Sequence, residues 1–502
     1  MSKDYSDNMK KRLTAHRMGA FVLACLLTLT LAGCAGFDEV AEAMGFSGSK
    51  KDAAVSDEPV ASIEDAPPVI VIESPEEEEE AKEPEEEEVE EEFFWDDDNK
   101  IYTMEAAEKD VVNLRFIGDI NFCEEYANMR VLRDEEGGNL SGCIKPEVME
   151  AMREADIMMA NNEFAYSDRG SPTAGKKYTF RAKPEHVEKL HEMGVDIVAL
   201  ANNHAYDWGP DALMDTFDLL REHKIPYVGA GKNIAEAAHP VYVKINGKTL
   251  AFVAATQIER TPNPDTKEAT DTEPGVLRTL DPKKFVSVIE EAENNADFTI
   301  VYVHWGSENT DLVEASQREL AEKYVAAGAD LIIGDHSHCL QGIDYVGGVP
   351  VFYSLGNFWF NSKKVDTCII SVTIKTEKNP AMAVSEDGEV APSYADTLPI
   401  ESIKFIPCIQ QSCRTKLADE TESARILAYL QGISDHAAVG DDGTITYSEE
   451  NHNTQGGVNT SPSRSKESTN PEDPAAAIDP ATLIPDAGAA VDPSAGGEAA
   501  PE

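Results

Sequence analysis

Short apolar runs separated by amphipathic stretches set the rhythm of the middle of this chain. The runs are Leu114–Ile117, Ile157–Ala160, Ile197–Leu200, Leu250–Ala254, Phe298–Val303, Leu331–Ile333 and Val349–Tyr353. Their length and their Val/Ile content predict buried strands. Between them, apolar positions recur at helical spacing over Pro184–Met193 (before Gly194), Asp211–Glu222, Asp281–Asn295 and Leu312–Ala327 (before Gly328). Proline at the start of a helical stretch and glycine just past its end mark boundaries. Alternation of this regularity predicts an α/β fold with helices covering a central sheet.

Outside residues 110–434 the rhythm stops, and composition takes over. Lys10, Lys11, Arg12 and Arg17 precede an 11-residue apolar run, Phe21–Leu31. That run is too short to cross about 30 Å of hydrocarbon as a helix and reads as a signal-peptide core. Leu31-Ala32-Gly33-Cys34 then resembles the lipobox of bacterial lipoproteins, which predicts cleavage after residue 33 and lipidation of Cys34. Several acyl chains would anchor the protein stably to the outer face of a membrane. Residues 34–109 read as a disordered acidic linker: Glu73–Asp98 holds 17 acidic residues against Lys82 alone, and such runs stay solvated. Phe93-Phe94-Trp95 is a candidate first contact with the folded part. Residues 435–502, rich in Ser, Thr and Asn and then in Ala, Pro, Asp and Gly, read as a disordered tail. The 502-residue chain carries a formal charge of −50. That charge excludes nucleic acid as a partner, since binding it needs a basic face.

The chemistry-bearing residues fall where the predicted strands end. Gly118-Asp119-Ile120-Asn121 follows the first, Asn161-Asn162-Glu163 the second and Asn202-Asn203-His204 the third, with Asp207 beyond. Later runs end in His304-Trp305-Gly306 and in Gly334-Asp335-His336-Ser337-His338. In open α/β sheets the carboxyl ends of the strands share one crevice, so these remote segments converge. Carboxylate, neutral imidazole and amide oxygen together suit Zn, Mn or Fe(II). No C-x-x-C pair occurs, so a cysteine-rich structural zinc site is excluded.

LRFIGDIN, LANNHAYDWG, VHWGSE and GADLIIGDHSHCLQGIDYVGGVPVFYSLGNFWF resemble the motifs of the CapA/PgsA family of poly-γ-glutamate capsule-synthesis proteins. The resemblance runs from about Val112 to Phe360. It implies the metallophosphoesterase-like αββα sandwich around two divalent metal ions, Mn, Zn or Fe. Carried over by position, the metal ligands are Asp119, Asn162, Glu163, Asn203, His204, His304, His336 and His338. His204 is then the general acid, with Glu163 or Asp119 bridging. Where phosphoesterases carry His two residues after the first Asp, this chain has Asn121, which weakens or changes one metal position.

Arg181 and Lys183, with Asn121, are the candidates for gripping an anionic substrate. The leading expectation is a lipid-anchored, extracytoplasmic protein of poly-γ-glutamate synthesis or export with a metal-dependent hydrolase-type site. It would work with that polymer and with membrane synthase subunits. A secreted metallophosphoesterase and a non-catalytic scaffold for a polymer synthase are the alternatives. Cys123/Cys143 and Cys408/Cys413 are sequence-near disulfide candidates, with buried thiols equally compatible.

Overall fold

The computed structural model describes residues 94–258, 266–377 and 399–451. The readings of the signal segment, Cys34, the acidic run before Phe94 and the tail after Asn451 lie outside the described residues.

Two sheets of eight strands carry the described chain. One runs, in spatial order, Trp95–Asp96, Ile101–Thr103, Val241–Ile245, Lys248–Thr256, Phe298–His304, Leu331–Asp335, Val349–Phe352 and Ile343–Val346. The other runs Arg414–Leu417, Ile400–Gln411, Val365–Lys375, Val111–Ile120, Ile157–Asn162, Ile197–Ala199 and Tyr227–Val228. Asn357–Trp359 joins this second sheet alongside Val111–Ile120. Each sheet has a parallel centre: Val111–Ile120, Ile157–Asn162 and Ile197–Ala199 in one, Lys248–Thr256, Phe298–His304 and Leu331–Asp335 in the other.

Side chains alternate across a strand, and here both faces are covered. Leu114, Phe116, Ile157 and Met159 meet Leu250, Phe252, Ile300 and Ile333 in one core between the sheets. On the outer faces, Met158, Ala160 and Val198 pack under Leu190, Leu213 and Phe217, while Val253, Val301 and Ile332 pack under Phe285, Ile289 and Ala321. The result is the four-layer αββα sandwich, with two sheets rather than a single central one.

The outer helices begin and end as their sequences direct. Lys283–Asn295 starts after Asp281, whose carboxylate takes the Lys283 N–H at 3.3 Å. Ala315–Ala327 opens on a reciprocal Glu314/Gln317 capping box and closes at Gly328 in the left-handed region, φ 116°, as helix ends commonly do.

Two features differ from the sequence reading. Folded structure starts before residue 110: Trp95–Asp96 and Ile101–Thr103 form a hairpin that pairs with Val241–Ile245. It also continues past 434, through the Ala437–Val439 and Ile445–Tyr447 strands. Of the two alternatives for the cysteines, the structure holds the buried-thiol one: neither sequence-near pair is bridged, and Cys123, Cys143 and Cys408 are buried thiols. No helix among the described residues is long and apolar enough to cross a membrane.

Candidate metal centre

Register brings the polar strand ends together. In one sheet Asp119 pairs with Asn161, and Asn161 with Ala199; in the other His304 pairs with Asp335. The Tyr302 hydroxyl donates to the Ile117 carbonyl of the facing sheet at 3.2 Å and also to Asp335. Asp335 further accepts the Leu355 N–H at 3.2 Å. Tyr302 ties the two layers together beneath the site, braced by Asp335 of its own sheet.

The H-x-H loop after Leu331–Asp335 is bent hard. His336 has φ 100° and His338 φ 55°, conformations that non-glycine residues hold only under surrounding constraint and that cluster at functional sites. The bend turns His336 Nδ1 to within 3.0 Å of His304 Nε2. It also turns His338 Nδ1 to 3.1 Å from Asp119 Oδ2.

Two groups of donors result, Glu163 with His304 and His336, and Asp119 with Glu163 and His338. Glu163 belongs to both. It is fully buried, and neither of its carboxylate oxygens has a hydrogen-bond partner. Its Oε1 lies 3.5 Å from His304 Nε2 and 3.9 Å from His204 Nε2. A buried carboxylate without donors is expensive unless a cation compensates it. Burial, with the Asp119 charge added, raises its proton affinity well above the usual carboxylate range. The same two causes raise Asp335. Burial keeps His304 neutral, its pKa pushed down to about 3. Burial lowers His338 too, but its hydrogen bond to Asp119 and the nearby carboxylates outweigh that and bring its pKa to about 9. Crowded buried carboxylates, Glu163 among them without a donor, together with inward-facing imidazoles are the donor set of a divalent cation. The residues fit such an ion.

The remaining predicted residues sort by position. Asn203 Oδ1 sits 2.9 Å from His304 Nε2, beside the first group. His204 belongs to neither group. Its Nδ1 meets Asp207 Oδ2 at 2.6 Å and its ring stacks on Phe180 at 3.9 Å, so Nε2 is left facing Glu163. A ring held through Nδ1 by a carboxylate, with Nε2 turned toward Glu163, suits a ligand and a proton carrier alike. Burial, then the Lys176 charge, pushes His204 well below the usual imidazole range.

The Asn162 amide nitrogen donates to the Phe164 carbonyl at 2.7 Å, and its Oδ1 is buried with no hydrogen-bond partner. Asn161, one position earlier and so on the opposite face, donates to Asp119 at 2.7 Å and lies 3.3 Å from His304 Nδ1. Asn121 is fully buried; its Oδ1 takes the Cys123 N–H at 2.7 Å, and its amide nitrogen has no hydrogen-bond partner. The substrate cations are also engaged by the protein. Arg181 lies over the Trp208 ring at 3.7 Å and donates to the Arg169 carbonyl; Lys183 is near Glu124 and Glu185.

Sequence reasoning gave no role to Asn161, Asn202, Tyr302 or Lys176. The two-residue period of a strand pairs Asn161 with Glu163 on one face, and that signal was available. Asn202 links Asn161 and the Asn162 carbonyl at 3.1 and 2.9 Å. Lys176, from an irregular loop, grips Asp207 at 2.6 Å and the Asn203 carbonyl; no pattern announces it. A third group, Asp344, Asp435 and His436, is already met by Arg318 at 3.1 Å from Asp344 and 3.4 Å from Asp435. It is an internal ion network.

A four-layer αββα sandwich with carboxylate, imidazole and amide groups gathered at the strand ends defines the class, a two-sheet α/β protein with a candidate cation site. The family described as bacterial capsule synthesis protein PGA_cap matches residues 113–362. The chain is 30% identical over 304 residues to the PGA biosynthesis protein CapA of Bacillus subtilis (strain 168), spanning 59% of this chain and 77% of that protein. It is 37% identical over 192 residues to the capsule biosynthesis protein CapA of Bacillus anthracis, spanning 38% and 46%. A solved structure of a hypothetical protein from Thermus thermophilus aligns over 61% of this chain and 98% of its own, with 16% identity and a TM-score of 0.29. The chain belongs to the PGA_cap family.

Proposed function

We propose that this protein acts in poly-γ-glutamate capsule synthesis or export through a divalent-cation site held by Asp119, Glu163, Asn203, His304, His336 and His338. The observation that carries the reading is Glu163, a fully buried carboxylate with no hydrogen-bond donor, shared by two groups of ligand atoms. Divalent cations held by these residues would meet that need. When bound, such cations act as Lewis acids toward a carbonyl or phosphoryl group.

The chain's own residues supply the remainder. Asp207 and Phe180 hold the His204 ring, and Lys176 holds Asp207. His204 Nε2 is thereby the atom placed to exchange a proton with a leaving group beside Glu163. Asn161 and Asn202 fix Asp119 and the turn that carries His204. Cys34 is the proposed lipid anchor, placing the site outside the cytoplasmic membrane. A Cys34→Ser chain is then released or left unprocessed, and unchanged membrane retention would count against lipidation.

The purified full chain, assayed for metal content and for cleavage of γ-glutamyl chains and phosphodiesters, tests the site. Turnover that disappears in His204→Ala and His336→Ala supports the hydrolase. Stoichiometric metal without turnover on either substrate supports a scaffold for a polymer synthase. Absence of metal from the folded chain under every loading condition sinks the reading.

A further inference from the structure

The two donor groups are not equivalent, and position 121 is the reason. Asn121 has one acceptor atom on its side chain, Oδ1, and that atom already takes the Cys123 N–H at 2.7 Å. Its Nδ2 is buried and is not a metal donor. The group of Asp119, Glu163 and His338 therefore receives nothing from the residue two places beyond Asp119.

Another amide reaches it from a different strand. Asn357–Trp359 runs parallel to Val111–Ile120 with Asn357 paired to Asp119 itself. Two glycines allow this approach. A Cβ on Gly118 would lie 1.9 Å from the Gly356 carbonyl oxygen, and Gly356 holds φ 70° against Cys339. The Asp119 N–H bonds that same carbonyl at 3.1 Å. Asn357 is buried, at 2% exposure. Its Oδ1 is 2.9 Å from His338 Nδ1, which in turn is 3.1 Å from Asp119 Oδ2. Oxygen and nitrogen donors about 2.0–2.2 Å from one cation stand roughly 3.0–3.4 Å from each other. The chain Asp119–His338–Asn357 thus has the spacing of adjacent ligands on a single ion.

Resting on the metal-site reading above, we infer that the Asn357 side-chain oxygen is the fourth ligand of the Asp119–Glu163–His338 position, in place of a donor at residue 121. The set becomes three oxygens and one nitrogen, two of the oxygens being carboxylate. Oxygen-rich sets suit harder cations better than nitrogen-rich ones, so the ratio of Mn2+ to Zn2+ affinity is higher at this position than at its partner. The Glu163–His304–His336 position, with two imidazoles, is the more nitrogen-rich partner.

Titration of the metal-free full chain with Mn2+, followed by calorimetry and by the loss of free-ion signal in electron paramagnetic resonance, tests the assignment. The wild type is expected to bind two Mn2+. Asn357→Leu, similar in size but without a donor, should keep one and bind the other at least about tenfold more weakly. Asn357→Asp should restore both. In Mn2+-loaded crystals the Asn357 oxygen should lie about 2.2 Å from an ion. Two unchanged affinities in Asn357→Leu, or an oxygen more than about 3 Å from any ion, would overturn the assignment and leave the metal site standing, with Asn357 only orienting His338. A wild-type chain that binds no Mn2+ or other divalent cation overturns the metal reading itself. Should the leucine variant fail to fold, the aspartate variant and the crystal distance still decide.

Discussion

At the scale of single residues, Glu163 is a liability in the metal-free protein and an asset in the loaded one. Its charge is buried beside Asp119 with no donor to either oxygen. Removing an uncompensated buried charge stabilises, whereas removing half of a compensated pair destabilises. Glu163→Gln should therefore raise the unfolding free energy of the chelated protein by about 1–3 kcal/mol while abolishing cation uptake. Urea unfolding with and without a chelator measures both signs, and a chelated variant less stable than wild type would contradict the argument. His338 supplies the pH dependence. Its pKa in the folded, metal-free protein is about 9, raised from 6.5 by Asp119 and nearby carboxylates against the opposing effect of burial. The stabilisation this confers is fully present below about pH 6.5 and is lost as pH rises through about 9, roughly 3 kcal/mol across the window. The stability difference between wild type and His338→Asn, both chelated, should shrink by that amount between pH 6 and pH 10. Cation binding must also displace this proton, so apparent affinity rises with pH up to about 9.

At the scale of elements, the backbone contact at Gly118 and Gly356 governs the site. With a Cβ only 1.9 Å from the Gly356 oxygen, Gly118→Ala must push Asn357–Trp359 off its neighbour. Overpacking of this kind costs about 1–3 kcal/mol or more. The variant should fold with a lowered Tm and lose cation affinity as Asn357 and Asp119 part; an alanine chain with wild-type affinity would show that the contact is incidental. The same junction explains what could and could not be read from the sequence. Parallel strands buried on both faces announce themselves as apolar runs, so Phe298–His304 and Leu331–Asp335 were legible, and so were the polar tips at their ends. Val365–Lys375 and Ile400–Gln411, the long antiparallel pair, alternate less cleanly and sit around residues that interrupt the pattern. The strand's two-residue period sets Asn161 on the same face as Glu163, a link that the order of residues in a motif does not announce. Lys176 was invisible because an irregular loop carries it across to Asp207. Asn357 could be placed near the site by its strand end, but its contact with His338 depends on a pairing between strands 238 residues apart in the chain.

At the scale of the whole molecule, charge decides how an anionic polymer is met. The chain carries −50, and a γ-glutamyl polymer carries a carboxylate on each residue, so the two repel at long range. The cations nearest His204 offer little relief: Lys176 is engaged by Asp207, Arg181 lies on Trp208, and Lys183 is near Glu124 and Glu185. Contact under the proposed function must then come from short-range interaction at the cation site against an unfavourable field. Raising ionic strength from about 10 mM to about 150 mM shortens the screening length from roughly 30 Å to roughly 8 Å. That removes most of the repulsion and leaves contacts of a few ångströms largely intact. Affinity of the Mn2+-loaded chain for poly-γ-glutamate should accordingly rise over this range, and a chelator should abolish it at every salt concentration. A steep fall with salt, the behaviour of proteins that hold polyanions in an extended basic groove, would mean that the polymer is gripped by a surface other than the strand-end cluster.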